Sequence, residues 1–457
     1  MFLEGKNLLV LGLGKTGLAV IDRMHKLADT IIAVDDNPMA ETGNIKEKGI
    51  RIVLGNDASN KEVLDDVDII ITSPGIPGSH PLIQYAQEIN IPIWSELELG
   101  WSLLPLQEKK KAIAVTGTNG KTTAVNLLGR MLSVNNLKVK VCGNVGDPII
   151  NTVDEKGIFR VIEVSSFQLE RSNSFAPFVG ILLNISSDHI DRHGTIEQYA
   201  ETKFKLFSHQ TRSDFSILNR DDPIITQTVS GINLRSRVIT YGLKQDKSLN
   251  LRYDRPYVVY KIGQKQGRIS IEKANLGGKH NILNIMSCVA AAVILGIEDN
   301  IIEKAVSDFM PLKHRLEYLG NCRGIDCYND SKATNPHATI AALDNFSKPL
   351  TLILGGKDKG MDLDDLFEAI DKKVSHLILL GESRKKIQQV LDKRQSTFNV
   401  HMAKSLKQAV DTGLSLTPSG GILLLSPAFA SMDMFKDYKD RGNQYRAMIE
   451  ERINDRR

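Results

Sequence analysis

Apolar runs of strand length alternate with helical periodicity along almost the whole chain. The runs NLLVLG (7–12), TIIAVDD (30–36), RIVLG (51–55) and DIIITSPG (68–75) come first, with helical patterns between them. Short continuous apolar runs suit strands buried on both faces, so the pattern predicts an open parallel α/β sheet covered by helices. After IPIWSELELGW (91–101) and the charged QEKKK (107–111), the strand AIAVTG (112–117) opens a second α/β unit that continues through FRVIEVSS and FVGILLN. This places a boundary near Gly100. Between Ser236 and Ile271 the runs SRVITYG, YVVYKIG and GRISI predict a small antiparallel appendage, and the helix NILNIMSCVAAAVILG closes the unit. A third unit follows MPLKHRLEYLG, where PLTLILGG, HLILLG and GILLLSP alternate with helices. No internal repeat or low-complexity segment interrupts the pattern.

A chain of 457 residues suits three such units at roughly 150 residues each. With 42% hydrophobic and 25% charged residues it has the composition of an ordinary globular protein. A formal net charge of +4, without a long like-charge run, points to neither a nucleic-acid tail nor a polybasic membrane anchor. No apolar stretch approaches the ~18 residues of a membrane span. Cys142, Cys288, Cys322 and Cys327 form no CxxC pair, which suits free thiols in a reducing compartment and argues against zinc. The N-terminus reads as a first strand and not a signal peptide. The expected location is the cytoplasm.

Two loops carry candidate chemistry. Gly12, Gly14 and Gly17 form GxGxxG directly after a strand, with Asp35 ending the next strand. This is a dinucleotide-like fingerprint, which places a pyrophosphate on a helix N-terminus, and it also fits a tight strand-to-helix turn. The second loop, GTNGKTT (117–123), is more specific: Gly117 and Gly120 free backbone N–H groups for phosphates, Lys121 adds a point charge and Thr122 offers a hydroxyl to Mg²⁺. A Walker A loop would carry a glycine where Val115 stands. Val115 reads instead as the end of the strand.

GTNGKTT resembles the ATP loop of the Mur ligases, amide-forming enzymes of peptidoglycan precursor synthesis, which share it with folylpolyglutamate synthases. GNVG (143), EVSSFQLE (163), NISSDHIDRH (184), GKHNILN (278), HRLE (314) and DSKATNP (330) match in order along essentially the whole chain. The resemblance implies three domains: a Rossmann-like UDP-binding domain (1–100), a P-loop ATPase-like domain with the appendage (101–311), and a Rossmann-like amino-acid-binding domain (312–457). It implies an acyl phosphate made from ATP, with UDP-N-acetylmuramoyl-L-alanine and D-glutamate as the substrates within the family that VLGLGKTG, DSKATNP and LLSPAFASMDMFKDYKDRGNQY fit best. A monomer is expected. Another Mur-type or folylpolyglutamate-type ligase is the alternative; the GxGxxG domain disfavours the latter. An NAD-dependent oxidoreductase leaves GTNGKTT and EVSSFQLE unexplained, and a non-catalytic nucleotide-gated module does not need Lys121, Glu163, His189 and Lys203.

The resemblance also assigns roles. ATP is expected on Gly117, Thr118, Asn119, Gly120, Lys121, Thr122 and Thr123, with Asn281, Asn284, Arg315, Asp330 and Lys332. Two Mg²⁺ sites are expected at Thr122, Glu163, His189 and a carbamylated Lys203. Lys15, Thr16, Asp36, Asn37, Ser73 and Asn144 fall on the uridine side, although the family often has a basic residue near 36–37. Thr334, Lys359, Ser431 and Met432 fall around the incoming amino acid or the reacting phosphates, with Lys357 two residues from Lys359. Asp191, Arg192 and His193 are expected to shape a loop. Phe429 and Met434 depart from the family pattern of cysteine and glutamine, which bears on amino-acid selectivity.

Taken by themselves, several of these residues fit plainer readings. Glu163 could be a solvated strand-end acid, His189 a loop or core histidine, and the asparagines helix caps. Lys203 has an argument from helix geometry. Thr195 and Gln198 stand at capping-box spacing, and Tyr199, Lys203 and Phe207 recur at four-residue steps, so Lys203 lies on the apolar face and Lys205 does not. Such a lysine can snorkel to water. If it stays buried, loss of hydration disfavours the ammonium and leaves an amine able to react with CO₂.

Overall fold

A computed structural model describes residues 3–43, 45–346, 350–358, 360–394 and 396–454. The chain forms two compact units: Met1–Ile185 with Arg192–Lys273 and Leu283–Ser307, and Ser186–Asp191 with Ala274–Ile282 and Asp308–Arg457.

The first unit holds two sheets. Strands β1 (Asn7–Leu11), β2 (Thr30–Asp35), β3 (Arg51–Leu54), β4 (Ile69–Thr72) and β5 (Ile93–Ser95) make an all-parallel sheet in the order β3-β2-β1-β4-β5. The order reverses direction beside β1, which puts the loop after β1 at a topological switch point, the usual ligand crevice of an open α/β sheet. The second sheet contains β6 (Ala112–Thr116), β7 (Val139–Gly143), β8 (Phe159–Glu163), β9 (Val179–Leu182), β10 (Phe215–Asn219), β11 (Arg237–Gly242), β12 (Leu251–Asp254), β13 (Tyr257–Ile262) and β14 (Lys265–Ser270). Its order is β14-β13-β12-β11-β10-β9-β6-β8-β7. Val115 is indeed strand: it pairs with Glu163 on one side and Ile181 on the other.

The expected appendage differs in two respects. SRVITYG pairs parallel with β10 and extends the main sheet, β12 pairs parallel with it in turn, and among the described residues only β13 runs antiparallel to its neighbours, β12 and β14. Strand β12 went unforeseen, because LRYD carries too few apolar residues to stand out.

The two sheets are fastened by the helix Glu96–Leu103, which packs on the turn Ile149–Thr152. A side chain at Gly100 would meet Ile149 at 2.6 Å, so the glycine permits this approach. The Glu96 carboxylate accepts from the Ile150 N–H at 2.8 Å, and its burial raises its pKa to about 7.

The second unit contains β15 (Glu317–Cys322), β16 (Ile325–Asn329), β17 (Leu350–Leu354), β18 (Val374–Leu379), β19 (Asn399–Met402) and β20 (Ile422–Leu425), ordered β15-β16-β20-β17-β18-β19. All pairs are parallel except β15 with β16. Strands such as LTLIL, apolar but for Thr351, and ILLL are buried throughout, as central strands covered on both faces require. Among the described residues no helix is long and apolar enough to cross a membrane. The four cysteines are free and buried.

Candidate active site

In the first unit the loop after β6 wraps around Lys121. Its ammonium donates to the carbonyls of Gly117 at 2.7 Å and Thr118 at 2.9 Å. Gly120 caps the helix Lys121–Val134 in the left-handed region (φ 85°), and an added Cβ would lie 2.5 Å from Asn284 Oδ1, so both backbone and space demand glycine. Asn284 thus packs directly on the loop. Asn184, at the end of β9, pins it from the other side: its Oδ1 accepts from Asn119 N at 2.8 Å and its Nδ2 donates to Asn119 O at 3.1 Å. The loop's orphan N–H groups at the helix start, with the helix dipole, suit an anion.

Glu163 stands at the end of β8, next to β6 in the sheet. Its Oε2 accepts from the Thr122 hydroxyl at 2.7 Å and its Oε1 from Asn144 Nδ2 at 2.8 Å. Asn144, expected on the uridine side, therefore meets the acid beside the loop after β6. Lys203 is 1% exposed, on the helix Ile196–Phe204 that Thr195 caps, with Lys205 facing solvent. The helix geometry is as the spacing predicts. The Lys203 ammonium donates to Gly117 O at 3.1 Å and lies 4.4 Å from the centre of the Tyr199 ring. Two lysines, Lys121 and Lys203, thus converge on the Gly117 carbonyl.

The glycine loop after β1 is equally constrained. A Cβ at Gly17 would sit 2.0 Å from Gly12 O, and Gly12 has φ 95° with Ser73 Oγ donating to its carbonyl at 2.8 Å. Asp35 is spent on the loop itself, accepting from Leu13 N at 2.6 Å and Asn37 N at 2.9 Å. Asp36 Oδ1 lies 3.1 Å from Nε2 of the buried His80, whose Nδ1 accepts from Leu82 N; Nε2 therefore carries the proton. Asn37 Oδ1 accepts from Met39 N at 3.0 Å. Lys15 and Thr16 open the helix Lys15–Met24, and Lys15 Nζ donates to Gly146 O at 2.6 Å, reaching the turn that carries Asn144. Asp191, Arg192 and His193, expected to shape a loop, lie in the short helix Ile190–His193, where Arg192 bonds Glu170 and Pro74 O and His193 Nε2 lies 3.0 Å from Ser166 Oγ.

The second unit gathers the remaining candidates. His189 adopts φ 56°, and its Nε2 lies 3.7 Å from Asp188 Oδ2. Asn281 Nδ2 donates to Gly277 O at 2.8 Å. Asp330 is buried, and its oxygens accept from Leu316 N at 3.0 Å and Ser426 Oγ at 2.8 Å, so it fixes the backbone just after Arg315. Burial raises its pKa to about 7, against the opposing hydrogen bonds and the charges of Arg315 and Arg441. Lys332 Nζ sits 4.0 Å above the Tyr438 ring. Thr334 is half-buried, Ser431 is buried with its carbonyl accepting from Phe435 N, and Met432 is exposed. Lys359 lies outside the described residues.

Sequence reasoning missed Arg441. Buried in the helix Tyr438–Asn454, it donates to Ser331 Oγ, Ser331 O and Phe429 O at 3.0, 2.9 and 3.2 Å, tying DSKATNP to SPAFAS. Burial lowers its pKa to about 10. In sequence it is one basic residue among several in a charged helix, with nothing to set it apart. Sequence reasoning gave Asn184 no role either; its signal is a polar residue just past the apolar strand Val179–Leu182.

Three family models cover the chain: "Mur ligase MurD-like, N-terminal domain" over residues 6–95, "Mur ligase middle domain" over 115–292 and "Mur ligase, glutamate ligase domain" over 314–429. The chain belongs to the Mur ligase family. Mur ligases are ATP-dependent enzymes that form amide bonds, and this chain is one of them. Among relatives of this Mur ligase, a UDP-N-acetylmuramoylalanine–D-glutamate ligase of Pelotomaculum thermopropionicum is 36% identical over 97% of each chain. Enzymes of the same name from Lachnospira eligens (34%, covering 98% of this chain and 99% of the relative) and Clostridioides difficile (35%, 98% of each) are similar. The fold is shared with the MurF ligase of Thermotoga maritima, solved in complex with ADP (TM-score 0.61, 16% identity, 100% and 96% coverage). It is also shared with a pseudomurein peptide ligase type C of Methanothermus fervidus (TM-score 0.60, 18% identity, 98% and 100% coverage).

Proposed function

We propose that this Mur ligase joins D-glutamate to UDP-N-acetylmuramoyl-L-alanine, hydrolysing ATP to ADP and phosphate, in the cytoplasm and as a monomer, with no nucleic-acid or membrane partner. The observation that carries the ATP chemistry is the convergence of Lys121 and Lys203 on Gly117 O, beside the Thr122–Glu163 pair. The likeness to D-glutamate ligases along the full chain supports the choice of substrates.

In the reaction a substrate carboxylate oxygen attacks the γ-phosphorus and ADP leaves. The amine nitrogen of the amino acid then attacks the acyl carbon, phosphate leaves with the electron pair of the C–O bond, and the amine gives up a proton. Both partners of the first step are anions, and two unit charges at ~4 Å repel by about 4 kcal/mol at an effective dielectric near 20. Positive charge must offset this, and the loop residues Gly117 to Thr123, with Lys121 at their centre, supply it on the phosphate side.

The donors also suit magnesium. Among the described residues no three or more His, Cys, Asp or Glu side chains gather as a cage. A hydroxyl and one carboxylate 2.7 Å apart, with phosphates completing the shell, are what this hard and reluctantly dehydrated ion takes. Thr122 and Glu163 would hold one ion, a carbamylated Lys203 would help organise a second, and His189 is a further metal ligand by the family match; bound magnesium would neutralise phosphate oxygens. Carbamylation exchanges a buried ammonium for a carboxylate at the Lys203 position.

Asn281, Asn284, Arg315 and Lys332 contact ATP in this reading, and Asp330 acts by fixing the turn of Arg315. Lys15, Thr16, Asp36, Asn37, Ser73 and Asn144 serve the uridine side; Thr334, Lys359, Ser431 and Met432 serve the amino acid. The domains divide at residues 100 and 311. The test is phosphate release from ATP with UDP-N-acetylmuramoyl-L-alanine and a panel of amino acids, with product identity by mass. Release that is independent of D-glutamate, or equal with L-lysine, would overturn the assignment.

A further inference from the structure

Asp188 is 7% exposed, and its two carboxylate oxygens have unequal surroundings. Oδ2 accepts from Asn335 Nδ2 at 3.1 Å and lies 3.7 Å from His189 Nε2. Oδ1 is buried and, among the described residues, has no hydrogen-bond partner. A buried carboxylate with one oxygen unsatisfied is costly, so its retention calls for a reason beyond packing. Asn335 is 4% exposed and divides its side chain between two tasks. Its Oδ1 caps the helix Pro336–Leu343 by accepting from Ala338 N at 2.9 Å, and its amide holds Asp188. Each partner adjoins a residue of the proposed chemistry, His189 on one strand of chain and Thr334 on the other.

We propose that Asp188 and Asn335 are a positioning pair, which holds the Thr334 turn at a fixed spacing from His189 so that amine and phosphate chemistry meet in register. The inference rests on the reaction proposed above. Amide formation depends on near-attack geometry, and misplacement by about 1 Å can cost a hundredfold in rate. The hydrogen bond between these buried groups is a direct tie that sets that spacing.

A purely structural role makes a different forecast. If Asn335 only caps its helix, Asn335→Asp is neutral, because aspartate caps as well as asparagine. If it holds Asp188, the same change sets two carboxylates face to face.

The experiment is steady-state kinetics on the full chain with Asn335→Asp, Asn335→Ser and the exchanged double variant Asp188→Asn/Asn335→Asp, which reverses donor and acceptor. We expect Asn335→Asp to raise KM for D-glutamate and lower kcat by about tenfold or more each, with KM for the UDP substrate within about twofold. The exchanged variant should recover most of that loss, a coupling that unrelated substitutions would not show. Asn335→Ser keeps a capping oxygen but is too short to reach Asp188, and should show the same split. Should both single variants fail to fold, a folded and active exchanged variant supports the pair, and an unfolded or equally impaired one overturns it. Wild-type kinetics in Asn335→Asp also overturn it. A wild-type enzyme without D-glutamate ligase activity would instead sink the underlying reaction and leave the pair as a structural contact.

Discussion

The Thr122 hydroxyl donates to the Glu163 carboxylate across 2.7 Å, joining the first turn of the loop helix to the end of the neighbouring strand. Asn144 holds the other Glu163 oxygen, so the acid is fixed in place. Glu163→Gln keeps the shape and one acceptor but loses the charge. Phosphate release should fall by about a hundredfold or more, with a higher magnesium requirement and unchanged melting temperature. Measuring kcat against magnesium concentration checks this; an unaltered magnesium profile would remove Glu163 from the site.

Lys121 is bound to its own loop through two carbonyls, while the glycine loop after β1, proposed for the uridine side, stands on a different sheet. Lys121→Ala should therefore abolish phosphate release and leave binding of UDP-N-acetylmuramoyl-L-alanine near wild type. Calorimetric titration beside an activity assay separates the two. Retained turnover would refute the phosphate assignment.

For Lys203 the expected chemistry is that of a carboxylate at the end of a lysine stem. Lys203→Ala should be nearly inactive, and short carboxylic acids such as formate or acetate should restore part of the activity by filling the vacated space. Lys203→Arg, which keeps the charge but cannot carbamylate, should not recover. Native mass measurement of active, metal-loaded wild type that shows only free lysine would end the carbamate idea.

Much of this was legible in sequence because it rests on local rules. Gly117 and Gly120 are demanded by their positive φ, Gly17 by its approach to Gly12 O, and Lys203 by a four-residue period; each leaves its mark in one stretch of chain. The ties between distant segments left none. Arg441 reaches Ser331 across 110 positions and Asn335 reaches Asp188 across 147, and nothing in either segment names its partner. Strand direction was lost for the same reason: SRVITYG has the composition of a strand in either orientation, and only its pairing with β10 makes it parallel.

Asp330 gives the second unit a pH dependence of definite sign. Its folded pKa of about 7 lies above the ordinary 3.8, so between those values the folded state holds a proton that the unfolded chain has lost. Its contribution to stability is fully present below the unfolded pKa and is lost as pH rises through about 7. The size is on the order of a few kcal/mol. Asp330→Asn, able to accept from Leu316 N and donate to Ser426, should flatten this dependence and gain stability relative to wild type at pH 8. Urea unfolding from pH 5 to 8 checks it; parallel curves for the two proteins would contradict it.

Phe429 and Met434, the two departures from the family pattern, differ in surroundings. Phe429 is 1% exposed and packs in the core with Leu352, Leu354 and Leu424, whereas Met434 is 40% exposed. The Phe429 carbonyl accepts the hydrogen bond from Arg441, while its ring packs in the core. Phe429→Cys should therefore leave a cavity and cost about 2–4 kcal/mol of stability while keeping the ratio of D- to L-glutamate turnover within about twofold. Met434→Gln should cost less than about 0.5 kcal/mol, as surface changes do, and alter KM for D-glutamate if either position does. A charged hydrogen bond to the side-chain carboxylate contributes about 1.5–3 kcal/mol, so neutral amino acids should fall behind D-glutamate by roughly one to two decades in both variants. The amino-acid panel, run on wild type and both substitutions beside denaturant unfolding, tests these expectations together. Loss of the D-glutamate preference in Phe429→Cys alone would mean that the ring, buried as it is, shapes the amino-acid site.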